Sequence, residues 1–331
     1  VWFAKRLDYI LTPCDIGRKY WNAKNKARGA GHLSSPAAGG PHTEGRHQGG
    51  KMDFDACRSL TTVFFDQAAK RPDAAFLWHK EGDRYRSQTW GEVAEQVKAL
   101  SRGLRELGLE PGERVVLVAE NRPEWLIADL AIMAAGAITV PAYTTALTSD
   151  HRHVLTDSGA AGAIVSTRSL AEHLLPAVLD APACRWVVGM EGLHRPSAGD
   201  VPVYAWADLL ARGRQVSDDV EELAGRAERG DTACIIYTSG TGGVPRGVML
   251  SHGAILFKCM GAYRVLERLG LAHEIFLSFL PLSHSYEHTA GQFLPITIGA
   301  EIYYAEGVDQ LQKNLAEARP TIMTAVPRLY E

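Results

Sequence analysis

Ile236-Tyr237-Thr238-Ser239-Gly240-Thr241-Gly242-Gly243-Val244-Pro245-Arg246-Gly247-Val248-Met249-Leu250-Ser251-His252 is the stretch from which the rest of the chain can be read. The run that feeds it, Ala233-Cys234-Ile235-Ile236-Tyr237, is short, apolar and followed by breakers, which predicts a buried strand. Gly240, Gly242 and Gly243 then accept positive φ and let backbone amides approach an anion. The hydroxyls of Thr238, Ser239 and Thr241 add donors, and Arg246 adds positive charge. Val248 to Leu250 and an N-cap at Ser251 return the chain to regular structure. The chemistry is that of a phosphate grip.

A Walker A loop is the nearest rival in wording, because Gly242 and Gly247 keep its glycine spacing. Val248 and Met249 stand where its Lys and Ser/Thr must reach phosphate and metal, which excludes that mechanism. A ligand-free Gly/Ser/Thr loop is the other competing reading, and the rest of the chain weighs against it. From Trp90, the residues Val93, Val97, Leu100, Leu104 and Leu107 trace one face of a helix that stops at Gly108. Strands are expected at 114–119, 138–140, 163–165, 186–188, 233–237 and 276–280. Helices are expected at 123–135, 150–156 and 170–179. This alternation implies an α/β fold of stacked mixed or parallel sheets covered by helices. Ligands of such sheets sit at the carboxyl ends of strands, where the glycine-rich loop falls. Positions 191–231 read as a looser connection between two sheet subdomains, with the Asp218 to Glu222 charge run as a solvated helix face.

Four further strings accompany the loop: Glu120-Asn121-Arg122-Pro123-Glu124-Trp125, Ala134 to Pro141, Phe279-Leu280-Pro281-Leu282-Ser283-His284-Ser285-Tyr286-Glu287-His288, and Val326-Pro327-Arg328-Leu329-Tyr330-Glu331. Together with the loop they resemble the AMP-forming adenylate synthetases, and within that group the long-chain fatty acid CoA ligases. The resemblance implies the N-terminal part of an adenylate-forming large domain. It also implies ATP and Mg2+ as cofactors, with a fatty acid and coenzyme A as substrates. By the same resemblance Thr238, Ser239, Gly240, Thr241, Gly242, Gly243 and Arg246 cradle the β/γ-phosphates, Thr238 shares Mg2+, and His284 borders the acyl-adenylate. Tyr286 and His288 are placed toward the acyl tunnel, with a hydrogen-bonded structural role at a helix N-terminus as the alternative for His284 and, more so, for His288, while Tyr237 and His252 are assigned to packing. Two positions depart from the family: Gly242 stands where threonine is more frequent, and Arg246 where lysine is. The amide and the cation survive both changes, although a guanidinium is not an ammonium at close quarters. The family's magnesium glutamate, ribose aspartate and catalytic lysine are expected beyond Glu331, so ligase activity is expected of the full-length protein and not of this fragment.

His284-Ser285-Tyr286-Glu287-His288 also matches the H-x-x-E-H string of zinc hydrolases, which is the alternative enzymatic reading. A nucleotide-binding module without ligase activity is the other.

The chain has 331 residues, 46% hydrophobic content and a net charge of −3, enough for a sizeable core and no reason to expect nucleic acid as partner. Five scattered cysteines without a C-x-x-C spacing fit a reduced cytoplasm. The longest apolar stretch, Leu130 to Ala142, is 13 residues, too short to span a bilayer, while peripheral membrane contact stays compatible with long acyl substrates. Residues 1–51 hold nine Lys/Arg against three Asp/Glu and a glycine-rich stretch, which marks them as a disordered or extraneous extension. Residues 52–331 are expected to form the large domain, incomplete at its C-terminal end. Oligomeric state and acyl chain length are left open by the sequence.

Overall fold

In the computed structural model, residues 3–5, 53–193, 197–238 and 244–327 are described. The expectation for the extension therefore lies outside the described residues, apart from strand β1 (Phe3–Lys5). Helix α1 (Leu60–Lys70) starts at a capping box in which the Ser59 hydroxyl accepts the Thr62 amide. The hairpin β2 (Ala75–Glu81) and β3 (Arg84–Thr89) leads into α2 (Trp90–Glu106), whose buried face carries the predicted Val93, Val97, Leu100 and Leu104. There follow β4 (Arg114–Val118), α3 (Pro123–Ala134), β5 (Ile138–Pro141), α4 (Thr148–Ser158), β6 (Gly162–Val165), α5 (Arg168–Val178) and β7 (Trp186–Gly189). Then come β8 (Ser197–Ala198), β9 (Val201–Ala205), α6 (Trp206–Gly213), α7 (Val220–Ala224), β10 (Thr232–Thr238), β11 (Arg246–Ser251) and α8 (His252–Arg268). The described chain closes with β12 (Ile275–Ser278), α9 (Ser285–Glu287), a π-helix (His288–Phe293), α10 (Leu294–Ile298), β13 (Glu301–Tyr304), α11 (Leu311–Ala318) and β14 (Ile322–Thr324).

Two mixed sheets result. One runs β11-β10-β5-β4-β6-β7-β9-β8 and is parallel from β10 through β9, with β11 and β8 antiparallel at its edges. The other runs β1-β14-β12-β13-β2-β3, parallel from β14 to β2 and antiparallel at both edges. Helix α3 buries eleven of its twelve residues, so it is enclosed on all sides instead of showing one buried face. Among the described residues no helix is long and apolar enough to cross a membrane.

One expectation is corrected. Residues 191–231 do not link two sheet subdomains: β8 and β9 extend the first sheet, and α6 and α7 pack beside α2 and α3. Pro202 disguised β9 in the sequence, yet a proline is tolerated there because β9 has only the two-residue β8 on its outer side. Of the charge run, Glu221 and Glu222 are exposed as expected. Asp218 is instead gripped by Arg102, 2.8 Å away, and by Arg105.

Helix α6 can approach α2 only because small residues face each other: a methyl at Gly213 would overlap the Ala99 carbonyl oxygen. Gly213→Ala is therefore expected to cost about 1–3 kcal/mol. Gly261→Ala on the exposed side of α8, where an added carbon meets nothing within 4 Å, is expected to stabilise by about 0.5–1 kcal/mol. Urea midpoints of the two variants check both signs.

Candidate active site

The glycine-rich loop joins two antiparallel strands. Thr238 lies across from Arg246 and Tyr237 from Gly247 in the β10–β11 register. The Walker A exclusion thus has a structural form: Val248 and Met249 belong to a strand, and the helix begins only after Ser251, whose hydroxyl caps α8 through the Ala254 amide. Gly247 is required because a side chain there would press on Ile235 and the Tyr237 ring. Ser239, Gly240, Thr241, Gly242 and Gly243 lie outside the described residues.

Both stems of the loop are fixed to α4. The Tyr237 hydroxyl donates to Asp157 Oδ2 at 2.6 Å, and His153 Nε2 lies 2.8 Å from the Pro245 carbonyl oxygen. His153 and Asp157 are one helical turn apart, and the His153 ring meets the Tyr237 ring edge-on at 5.7 Å. Burial and the Asp157 carboxylate push the Tyr237 phenol well above its usual value, so it remains a donor. Between these anchored stems, Thr238 and Arg246 are exposed, and among the described residues neither side chain has a polar partner. The unpaired guanidinium suits an anion, and the free hydroxyl suits a hard cation that takes its remaining oxygens from phosphate.

The second sheet brings in His284, which follows β12. It is exposed and caps the short α9, its Nδ1 accepting the Tyr286 amide at 3.2 Å. In the neutral ring the proton then sits on Nε2, which leaves the ring one N–H donor. The carboxyl edges of the two sheets meet just below. Asn121, which follows β4, donates to the Leu280 carbonyl at 2.8 Å and to Ser278 Oγ at 3.3 Å, at the end of β12. The Glu120 to Trp125 and Phe279 to His288 strings are thus in direct contact.

Beneath His284 lies a buried polar network that sequence reasoning did not assemble. Glu287 is fully buried and accepts hydroxyl bonds from Ser278 at 2.7 Å and from Thr324. Burial pushes its carboxyl up to about 7 despite those two donors. His288 is also fully buried, with Nε2 at 2.8 Å from Asp129 Oδ2 and Nδ1 at 3.7 Å from Cys234 Sγ. Burial opposes its charge, but the Asp129 carboxylate outweighs this and raises the imidazole to about 10. Asp129 carried a readable signal, since it is the only charge in the run Trp125 to Pro141 and a buried charge requires a partner. The identity of that partner was not readable.

One alternative holds here and one expectation falls. His288 takes the hydrogen-bonded structural role: it is paired with Asp129 and packs edge-on to Trp125 at 5.4 Å. The H-x-x-E-H string does not present two imidazoles on one helical face, because His284 is an exposed cap and His288 opens a π-helix within the core. Among the described residues no group of three or more metal-ligating side chains is assembled. Tyr237 packs as expected, and so does His252. The buried Nδ1 of His252 accepts the Leu60 amide at 3.3 Å, and burial lowers its pKa to about 4.

Comparison with known proteins bears on the family and the fold. A family profile described as AMP-binding enzyme matches residues 64–331. The peroxisomal long chain acyl-CoA synthetase 6 of Arabidopsis thaliana is 33% identical over 252 residues, covering 74% of this chain and 35% of that protein. The long-chain-fatty-acid–CoA ligase FadD15 of Mycobacterium tuberculosis is 31% identical over 305 residues, covering 90% of this chain and 46% of that protein. The chain thus spans less than half the length of these relatives. In fold, the crystal structure of FadD1 from Archaeoglobus fulgidus superposes with a TM-score of 0.69 at 23% identity, over 82% of this chain and 52% of the other. The anthranilate CoA ligase AuaEII, solved with anthranoyl-AMP, gives 0.70 at 19% identity, over 84% of this chain and 52% of the other.

The buried network makes stability depend on pH. Glu287 in the folded chain titrates above its ordinary 4.5, so its contribution is complete below that value and is lost as pH rises through about 7. His288 is raised from 6.5, so its contribution is complete below 6.5 and is lost through about 10. The melting temperature should fall across both windows. Glu287→Gln should flatten the lower one and Asp129→Asn the upper, as read by circular dichroism melts in a pH series.

Proposed function

Because the chain belongs to the AMP-binding enzyme family, we propose that the whole protein activates a long-chain fatty acid with ATP and passes the acyl group to coenzyme A. In the first step the carboxylate oxygen attacks the α-phosphorus of ATP and pyrophosphate leaves. In the second the coenzyme A thiol attacks the acyl carbonyl and AMP leaves. A free carboxylate resists a thiol because it is already anionic, and linking it to AMP removes that charge and provides a stable leaving group. The protein contributes position and electrostatic stabilisation. In this reading residues 52–331 are part of the large domain, residues 1–51 are an extension, and the enzyme works in the cytoplasm with peripheral contact to a membrane.

The observation that carries the reading is the anchored hairpin at the carboxyl edge of β10, which sets Arg246, exposed and without a polar partner among the described residues, across from Thr238. We assign Arg246, Thr238 and the intervening Ser239, Gly240, Thr241, Gly242 and Gly243 to the β/γ-phosphates. His284 is assigned to the acyl-adenylate, where its Nε2 donor meets an oxygen. Magnesium, when bound, neutralises phosphate charge, and Thr238 offers it one oxygen.

Arg246→Ala in the whole protein is expected to weaken ATP binding about ten- to a hundredfold, the worth of one charge-assisted hydrogen bond. Arg246→Lys should recover part of it, and the circular dichroism melt should not move, since Arg246 is exposed. ATP–pyrophosphate exchange with a long-chain acid as cosubstrate reads the effect. An unchanged exchange rate removes Arg246 from the site, and absence of exchange in the parent protein removes the ligase reading.

A further inference from the structure

Helix α8 has an outer face that stands exposed among the described residues. Its inner face buries Ile255, Leu256, Cys259 and Leu266. The exposed residues Ala254, Phe257, Lys258, Gly261, Arg264, Val265 and Arg268, with Leu269 at the C-cap, fall within an arc of about 140° at 3.6 residues per turn. Phe257 is 60% exposed, and Val265 and Leu269 are each 55% exposed, exposures unusual for large apolar side chains grouped on one helix. Gly261 lies among them with open space above it, which keeps the surface flat.

The charges on this arc share one sign. Lys258, Arg264 and Arg268 are exposed, and among the described residues no carboxylate pairs with any of them. The arc contains no Asp or Glu, although the chain as a whole is net acidic at −3.

We propose that the outer face of α8 is a docking surface for an anionic lipid bilayer, with the helix lying in the plane of the headgroups. Phe257, Val265 and Leu269 enter the boundary between headgroups and acyl chains, while Lys258, Arg264 and Arg268 meet lipid phosphates and carboxylates. Charge complementarity selects this occupant. A second copy of the chain meeting this face about a two-fold axis would set cations against cations, with no carboxylate on the arc itself to answer them. Nucleic acid would satisfy the cations but leave the three apolar side chains against phosphate and water. The inference deepens the membrane contact of the functional reading and gives it an address. It is measured without ATP, fatty acid or turnover, so its failure and that of the ligase reading are distinguishable.

The test is sedimentation of the chain, and of the whole protein, with phosphatidylcholine vesicles with and without phosphatidylserine. Both proteins are expected to sediment with the acidic vesicles and to be released by high salt. The triple variant Lys258→Glu, Arg264→Glu, Arg268→Glu should lower partition at least tenfold, as should Phe257→Ser, Val265→Ser, Leu269→Ser. All six residues are exposed, so melting curves of the variants should match the parent. Equal partition of parent and variants, equal binding to neutral vesicles, or failure of the whole protein to bind overturns the proposal. So does a parent dimer that the serine variant dissolves without changing vesicle partition, or binding of a labelled DNA duplex in place of lipid.

Discussion

The buried ion pair between Asp129 and His288 ties the helix under the first sheet to the segment that follows β12 of the second. Asp129 sits on α3, the helix wrapped on all sides by core, and His288 opens the π-helix beyond β12. Neither has measurable exposure, and 159 residues separate them in sequence. Two charges removed from water are tolerated only when each answers the other, and deleting one leaves the survivor uncompensated at a cost of about 3–5 kcal/mol. The pair therefore admits one placement of the π-helix against α3. The Trp125 ring lies edge-on to the same imidazole, and Cys234 of β10 approaches its other nitrogen. First sheet, central helix and second sheet thus converge on a single side chain.

The site inherits its geometry from that convergence. Once His288 is fixed, Glu287 is held under the ends of β12 and β14 by Ser278 and Thr324, and His284 must emerge above them at the crevice between carboxyl edges. Asn121 closes the same crevice from the first sheet. Gly291 belongs to this arrangement too, because a side chain there would occupy the space of the Glu287 carboxyl. The exposed side chains Thr238, Arg246 and His284 stand outside this network, and the groups within it are committed to one another.

Much of the fold was legible because the relevant physics is local. The 3.6-residue spacing of Val93 to Leu104, the Ser251 cap and the short apolar strands at 114–118, 162–165 and 186–189 need no knowledge of distant partners. Where the outcome depended on tertiary pairing, reading failed. Pro202 argued against a strand that survives only near a sheet edge. The apolar face of the eight-residue α6 is short enough to pass for loop. His284 and His288 have ideal spacing for a shared helical face, but spacing says nothing of a cap at one position and a π-helix at the other. In the candidate site, the loop's place at the end of a strand was readable. The anchoring of its stems by His153 and Asp157 was not, because those residues belong to a helix about 90 positions earlier.

Arg246, Thr238 and His284 are all exposed, and exposure limits what they can do. A guanidinium 4 Å from a phosphate oxygen gains about 1 kcal/mol per unit charge in bulk water and about 4 kcal/mol where the effective dielectric is near 20. Preorganised donors stabilise a transition state only when water has been displaced from around them. The described part of the molecule already supplies the preorganisation, through the α4 anchors on the loop and the carboxyl network under His284. It does not supply the exclusion of water. The described residues thus give Arg246, Thr238 and His284 fixed positions, and the strength of any contact these exposed groups make is set by the water around them.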